Sequence, residues 1–227
     1  MTAEPMGAEK FVPEPASLDD LRAAVQQCRG CDLYRHATQA VFSKGPADAE
    51  MVFVGEQPGD VEDRRGEPFV GPAGRLLSRA VSDVGLDPDR IYVTNAVKHF
   101  KFRLDQRGKR RIHQNPSRME VLACRPWLTA EFADLKARVI VALGATAGQS
   151  LVGPSFRVTK SRGQVLPWPA SAEHPEQFPT SDPAAVLVPT VHPSAILRAD
   201  DRDAAYGAFV ADLTVAAEAL RGGDKLG

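Results

Sequence analysis

Three stretches of this chain concentrate side chains with chemical capacity. Residues 55–77, GEQPGDVEDRRGEPFVGPAGRLL, set Gly55, Gly59, Gly66, Gly71 and Gly74 among the carboxylates Glu56, Asp60, Glu62 and Asp63. Glycine lets a backbone take unusual angles and approach a ligand closely, and the amides that open a helix attract anions, so phosphate is the obvious guest of such a loop. A pure phosphate cradle would not want four acids beside it, so some of them are expected to do chemistry or to orient other groups. In the second stretch, Cys28-Arg29-Gly30-Cys31, two thiolates separated by two residues can grip one metal centre, with Gly30 letting the chain turn back after the first sulfur. Buried or redox-active thiols are the other reading. The third stretch runs from Lys98 to Arg118 and holds eight Lys/Arg against one acid, Asp105. Gly108, two glutamines and Pro116 make much of it a loop, and a basic loop with Phe100 and Phe102 suits a nucleic-acid backbone, with a solvated charge run as the alternative.

The whole chain conceals that segregation. Its 227 residues carry 28 Lys+Arg and 29 Asp+Glu, a formal net charge of -1, so nothing global announces a polyanionic partner. The length suits one α/β domain, assigned to residues 17–221, with residues 1–16 as a flexible tail or surface strap and 222–227 as a second tail. No apolar run approaches the roughly 18 residues that span a bilayer, and the first residues lack a basic flank and apolar segment, so a cytoplasmic protein with no membrane partner is expected. Three cysteines, an odd number, argue against a disulfide framework.

Positioning these stretches falls to strands and helices that alternate. Ser17 caps a helix that runs to about Gln27 and delivers Cys28. Residues 51–54, Met-Val-Phe-Val, form a buried strand that feeds the glycine-rich loop, and Leu76, Leu77, Ala80 and Val81 mark the helix beyond it. A second strand, residues 90–95, ends at Asn95, which should neighbour Gly55, because ligands of open α/β sheets sit at the carboxyl ends of strands. Ser117 and Glu120 form a capping box that opens the helix carrying Cys124. A third strand covers residues 138–143 and is followed by a short helix over 145–151; residues 163–167 can add an edge strand, and a polar loop precedes a strand over 185–189. His192-Pro193-Ser194-Ala195-Ile196-Leu197-Arg198 leaves that last strand, and an amphipathic helix closes the chain from about 202 to 220. The expected architecture is a three-layer α/β/α sandwich around a central, mainly parallel, four-stranded sheet.

Three loops at one sheet edge thus hold GEQPGD with PFVG, Thr94-Asn95, and HPSAILR. This combination resembles the uracil-DNA glycosylase superfamily, specifically its iron-sulfur branch, family four, over residues from about 20 to 215. Gln57 and the insertion GKRRIH at 108–113 look like the UdgX subclass of that branch, which binds uracil-DNA covalently. The resemblance implies a 4Fe-4S cluster held by Cys28, Cys31, His99 and Cys124, with His99 standing where iron-sulfur relatives carry a further cysteine. Zinc on the same four residues is the chemical alternative. Such a centre would staple the N-terminal segment and the basic loop to the core.

The same resemblance assigns the remaining roles. Uracil, flipped from a duplex or taken from single-stranded DNA, would stack on Phe69 and pair through O4 and N3–H with the Asn95 amide, while Arg198 enters the vacated space. Gly55, Asp60 and Ser194 complete the substrate-binding set, and Lys109, Arg110 and Arg111 would follow the DNA backbone. His192 would donate to uracil O2 as the glycosidic bond breaks, helped by backbone amides around Gln57. His113 would then attack C1′ and stay attached, with Glu56 paired to its other ring nitrogen and Gln57 restricting water near the sugar. A monomer that crosslinks itself to DNA is the expectation. The alternatives are a turnover glycosylase without crosslinking, a noncatalytic uracil-DNA sensor, and a nucleotide-dependent enzyme, the last of which would need a phosphate-loop signature that this chain lacks.

Overall fold

The computed structural model describes residues 7–178 and 182–223. Parts of the two expected tails, and residues 179–181 of the polar loop, lie outside these. In chain order the elements are α1 (Leu18–Ala24), β1 (Met51–Gly55), α2 (Asp60–Arg65), α3 (Pro72–Asp83), β2 (Ile91–Asn95), β3 (Phe102–Leu104), β4 (Arg111–His113) and α4 (Arg118–Asp134). There follow β5 (Val139–Leu143), α5 (Gly144–Leu151), α6 (Val158–Ser161), β6 (Leu166–Pro167), β7 (Val186–Thr190), α7 (Pro193–Ile196) and α8 (Arg202–Gly223).

The central sheet has the order β2-β1-β5-β7-β6. The first four strands are parallel, and β6 pairs antiparallel with β7. The four expected strands are therefore joined by a fifth of two residues, inside the 163–167 segment read as an edge. Its proline is tolerated at the margin of a sheet, where a missing N–H breaks no ladder. Strand β1 is buried along its whole length, as a parallel strand covered on both faces must be. Its side chains alternate between layers. Met51 and Phe53 pack with Leu77 and Val81 of α3 and Phe209 and Leu213 of α8, whereas Val52 and Val54 pack with Leu21 of α1 and Trp127 and Phe132 of α4. That period of two makes the expected sandwich.

Both N-terminal caps form as read. Ser17 and Asp20 cap α1, Ser117 and Glu120 cap α4, and each pair exchanges reciprocal side-chain to backbone bonds. Residues 7–16 are docked rather than free: the Gly7 amide donates to the Gly30 carbonyl at 2.8 Å, the Ala8 amide to that of Ala123 at 2.9 Å, and Ala8 is buried. The basic segment departs most from expectation. Much of it forms a separate two-stranded hairpin, β3 with β4, whose turn is closed by the Asp105 carboxylate accepting from the Lys109 and Arg110 amides. Among the described residues no helix is long and apolar enough to cross a membrane.

Candidate active site

Strand β1 lies between β2 and β5, so the chain leaves it in opposite directions on its two sides, and the crevice at such a reversal is where open α/β sheets bind ligands. Gly55 and Asn95 are register partners at the ends of β1 and β2. Beyond them the Ala96 and Val97 amides donate to the Gly55 and Glu56 carbonyls at 2.9 and 3.0 Å, so the two strand ends turn as one unit. Only glycine fits at 55: a Cβ there would stand 2.7 Å from Cζ of Phe69 and would overlap the Asn95 amide oxygen. The Phe69 ring thus lies against the strand end. Its backbone is held at φ 54, the left-handed region in which a non-glycine residue is uncommon and strained. The loop is pinned from below by Glu62, buried, whose carboxylate accepts from the Gly71 amide at 2.8 Å.

The opposite wall is His192, N-cap of α7. Its Nδ1 accepts from the Ser194 amide at 3.1 Å and lies 2.8 Å from the Ser194 hydroxyl. Because the amide can only donate, Nδ1 carries no proton, and a neutral ring must then hold its proton on Nε2. Burial, with the charges of His113 and Arg198, holds the pKa down to about 4. His192 is therefore a neutral ring with one N–H to offer, and the capping contact supplies that tautomer.

The hairpin forms the roof. The Gln57 amide orients it: Oε1 accepts from the Lys101 amide at 3.1 Å, while Nε2 donates to the carbonyls of Lys101 at 3.2 Å and Gln114 at 3.0 Å. Those two hydrogens are shared with a third neighbour, His113 Nε2 at 2.9 Å; an amide nitrogen cannot accept, so a bond between the two needs the lone pair on that ring nitrogen. Glu56 Oε1 lies 3.4 Å from the same nitrogen, and Glu56 Oε2 accepts from the Thr146 hydroxyl. Carboxylate and amide thus approach the same ring nitrogen, whereas Glu56 was expected on the nitrogen that does not attack. The His113 side chain is 46% exposed, and burial together with Arg198 lowers its pKa against the opposing pull of Glu56.

Arg111 is also not where its charge suggested. Its side chain is 12% exposed, donates to Asp60, to Asp63 at 2.6 Å and to the Thr38 hydroxyl at 3.2 Å, and lies over the rings of Phe100 and Phe102. It clasps the hairpin to α2 instead of facing a DNA backbone. Lys98, counted with the basic run, is fully buried against Glu131, and Lys101 pairs with Glu120. Charge counts along a chain cannot see partners distant in sequence. Lys109 and Arg110, by contrast, stand exposed in the hairpin turn.

One cavity of about 680 Å³ gathers these groups. Glu56, Gln57, Asp60, Phe69, Asn95, His113, His192, Ser194 and Arg198 all line it, with Gly55 directly beneath Phe69. Reading by sequence missed Thr146, although it follows the carboxyl end of β5 and the rule that nominated Asn95 applies equally there. It also missed Asn115, which lines the cavity beyond the hairpin.

The thiols lie apart from this cavity. Cys28 and Cys124 are buried in the core between the sheet, α1 and α4, and Cys31 is half-buried against it. Cys28 Sγ receives the Trp127 indole N–H at 3.2 Å, and Cys124 Sγ receives the Lys98 amide at 3.3 Å. Burial pushes Cys124 up to about 12 and raises Cys31, and each feels the charge of Cys28. His99, next in chain to Lys98, is buried and held near 4, hence neutral. Among the described residues no three His, Cys, Asp or Glu side chains stand in metal-binding geometry. The chemistry of the donor set nonetheless fits a three-thiolate, one-imidazole centre: three thiols that sense one another, N–H donors on two sulfurs, and an uncharged ring on the adjoining turn.

Known proteins resemble the chain over most of its length. The profile described as Uracil DNA glycosylase superfamily matches residues 42–214. A type-4 uracil-DNA glycosylase of Sulfurisphaera tokodaii is 35% identical over 176 residues, which cover 75% of this chain and 76% of that protein. Another, of Thermotoga maritima, is 34% identical over 175 residues, covering 77% and 80%. A third, of Pyrobaculum aerophilum, is 32% identical over 198 residues, covering 87% and 92%.

Proposed function

The chain belongs to the uracil DNA glycosylase superfamily, and on that premise we propose that it excises uracil from DNA and retains the resulting deoxyribose on His113. A flipped uracil enters the cavity, stacks on Phe69 and presents O4 and N3–H to the Asn95 amide. Cytosine carries the opposite donor and acceptor pattern on that edge, so Asn95 is left badly paired and cytosine is rejected. As the N-glycosidic bond breaks, its electron pair moves onto the base and the anion gathers at O2, where the His192 Nε2–H is preorganised to donate. Glu56, held through its far oxygen by Thr146, puts negative charge beside the developing sugar cation.

The ending distinguishes crosslinking from turnover. The observation that carries it is the seating of His113: its Nε2 faces the Gln57 amide at 2.9 Å and the Glu56 carboxylate at 3.4 Å, at the edge of the same cavity. In the Nδ1–H tautomer the Nε2 lone pair bonds C1′, the ring becomes a cation stabilised by Glu56, and loss of the Nδ1 proton to solvent leaves a neutral alkylated imidazole. The uracil anion takes its own proton from solvent. Gln57, whose amide is committed to the hairpin, closes the space that a competing water needs. Arg198 enters the vacated base position, while Lys109 and Arg110 meet phosphates. Cys28, Cys31, His99 and Cys124 would hold a 4Fe-4S cluster, which when bound supplies a structural staple between the N-terminal segment and the turn after β2.

The test uses a uracil-containing oligonucleotide on a denaturing gel. The native chain should give a shifted band that survives denaturant, together with free uracil. His113→Ser should abolish the band and continue to release uracil, because water replaces the imidazole. A shifted band that persists in that variant removes His113 as the attachment point.

A further inference from the structure

Beneath the carboxyl end of β2 lies an ion pair sealed from solvent, Lys98 with Glu131, both side chains 0% exposed. Burying two charges carries a desolvation cost of several kcal/mol for each, and apolar residues of similar volume often serve stability equally well, so such a pair is weakly explained by stability alone. Its hydrogen bonding is complete. The three ammonium hydrogens reach the Thr94 hydroxyl at 2.6 Å, the Asn95 carbonyl at 2.9 Å and Glu131 Oε2 at 2.6 Å. Glu131 Oε1 accepts from Tyr92 at 2.8 Å and from Thr94 at 2.7 Å, and the Tyr92 oxygen lies 2.6 Å from the Ser43 hydroxyl. Tyr92, Thr94 and Asn95 all belong to β2, so the network ties the end of that strand to Glu131 of α4 and to Ser43.

Asn95 carries its side-chain oxygen against Gly55 while its carbonyl is held from behind by the lysine. Fixing that peptide plane fixes the Cα–Cβ bond from which the side-chain amide is carried, and two hydrogen bonds to a pyrimidine edge demand a set direction. We propose that Lys98, held by Glu131, is a positioning residue for Asn95, and that this buried pair sets the alignment with which uracil is recognised. The inference rests on the reading of Asn95 as the residue that pairs with uracil. It also makes Lys98 the junction of two sites, because its amide is the donor to Cys124.

The experiment compares native protein with Asn95→Ala and with the double variant Lys98→Met/Glu131→Leu, which removes both charges together and leaves neither unpaired. Free uracil is titrated as inhibitor of uracil release from single-stranded oligonucleotide, alongside thermal unfolding and binding to undamaged DNA. The double variant should need about tenfold more uracil for half-inhibition, the effect of misaligning one strong hydrogen-bonded contact, with DNA binding unchanged. A purely structural role lowers the unfolding temperature and leaves uracil inhibition where it was; that result, with Asn95→Ala impaired, overturns the inference alone. An Asn95→Ala protein inhibited as the native one overturns the reading beneath it and the inference with it. Should the double variant fail to fold, the isosteric Glu131→Gln carries the same test, with a rise of about threefold expected and no rise overturning the proposal.

Discussion

The floor of the cavity is made by backbone register, whereas the hairpin above it is held in place largely by side chains. Gly55 and Asn95 are paired within the central sheet, and the His192 ring is locked by capping α7. The hairpin has only two strands of three residues and no place in that sheet, and a lone two-stranded ribbon is marginal in water. Three clasps hold it: the Gln57 amide on the backbone flanking β3 and β4, the Arg111 fork on Asp60 and Asp63, and the Lys101–Glu120 pair. On the proposed function, recognition of the base falls to the rigid floor and capture of the sugar to the hairpin held by side chains. Damage to the floor should remove both products, and damage to a clasp should remove one.

The largest effect is expected from the floor. His192→Leu removes the side-chain donor proposed for uracil O2, and loss of one such preorganised donor typically costs on the order of 10²–10³ in rate. Uracil release and crosslinking should fall together, measured by single-turnover assays of both products. If crosslinking alone declined, the histidine would belong with the capture machinery and the contrast would fail. A smaller effect is expected from Arg111→Lys, which keeps a positive charge beside the buried Asp63 but loses the planar fork that spans two carboxylates. Crosslinking should slow by about tenfold while uracil release changes by less than about twofold, because a nucleophile displaced by a fraction of an ångström loses alignment and the base pocket is untouched. Equal losses in the two assays would show that the hairpin also shapes the floor.

How far each region could be read from sequence follows the same division. The floor was legible because period-two burial and strand ends are local patterns: the run 51–54 announced β1, and the strand-end rule placed Gly55 beside Asn95. The two capping boxes were legible for the same reason. The hairpin was not. Residues 98–118 read as one basic loop, yet Lys98, Lys101 and Arg111 each meet an acid that lies from 19 to 51 residues away, and only Lys109 and Arg110 of the proposed backbone set remain exposed. Thr146 and Glu131 escaped notice because a lone threonine or glutamate within a helix announces nothing until its partner is known. The fifth strand was legible only as an edge segment over 163–167, because its two residues, ending in proline, are too few to carry an alternating pattern.

The two histidines offer the finest separation of floor from hairpin. His192 is held near 4, so through mildly acidic pH it stays neutral, with Nδ1 free to accept from Ser194 and Nε2–H left to donate. His113 is lowered below 6.5, chiefly by burial, with Arg198 acting in the same sense and Glu56 against it. Its protonated form has no lone pair for C1′. As pH falls through the His113 pKa, capture should decline while the bond to uracil continues to break, so the product shifts from crosslink towards free abasic DNA, with a midpoint below 6.5. Above neutrality little remains to gain: from pH 7 to pH 8 a group of this kind changes its neutral fraction by no more than roughly a third. Quantifying crosslinked and abasic products together across this range checks the assignment. Glu56→Gln removes the one charge that favours the imidazolium, so its profile should move to lower pH; a move to higher pH would show that Glu56 does not act on His113 through its charge.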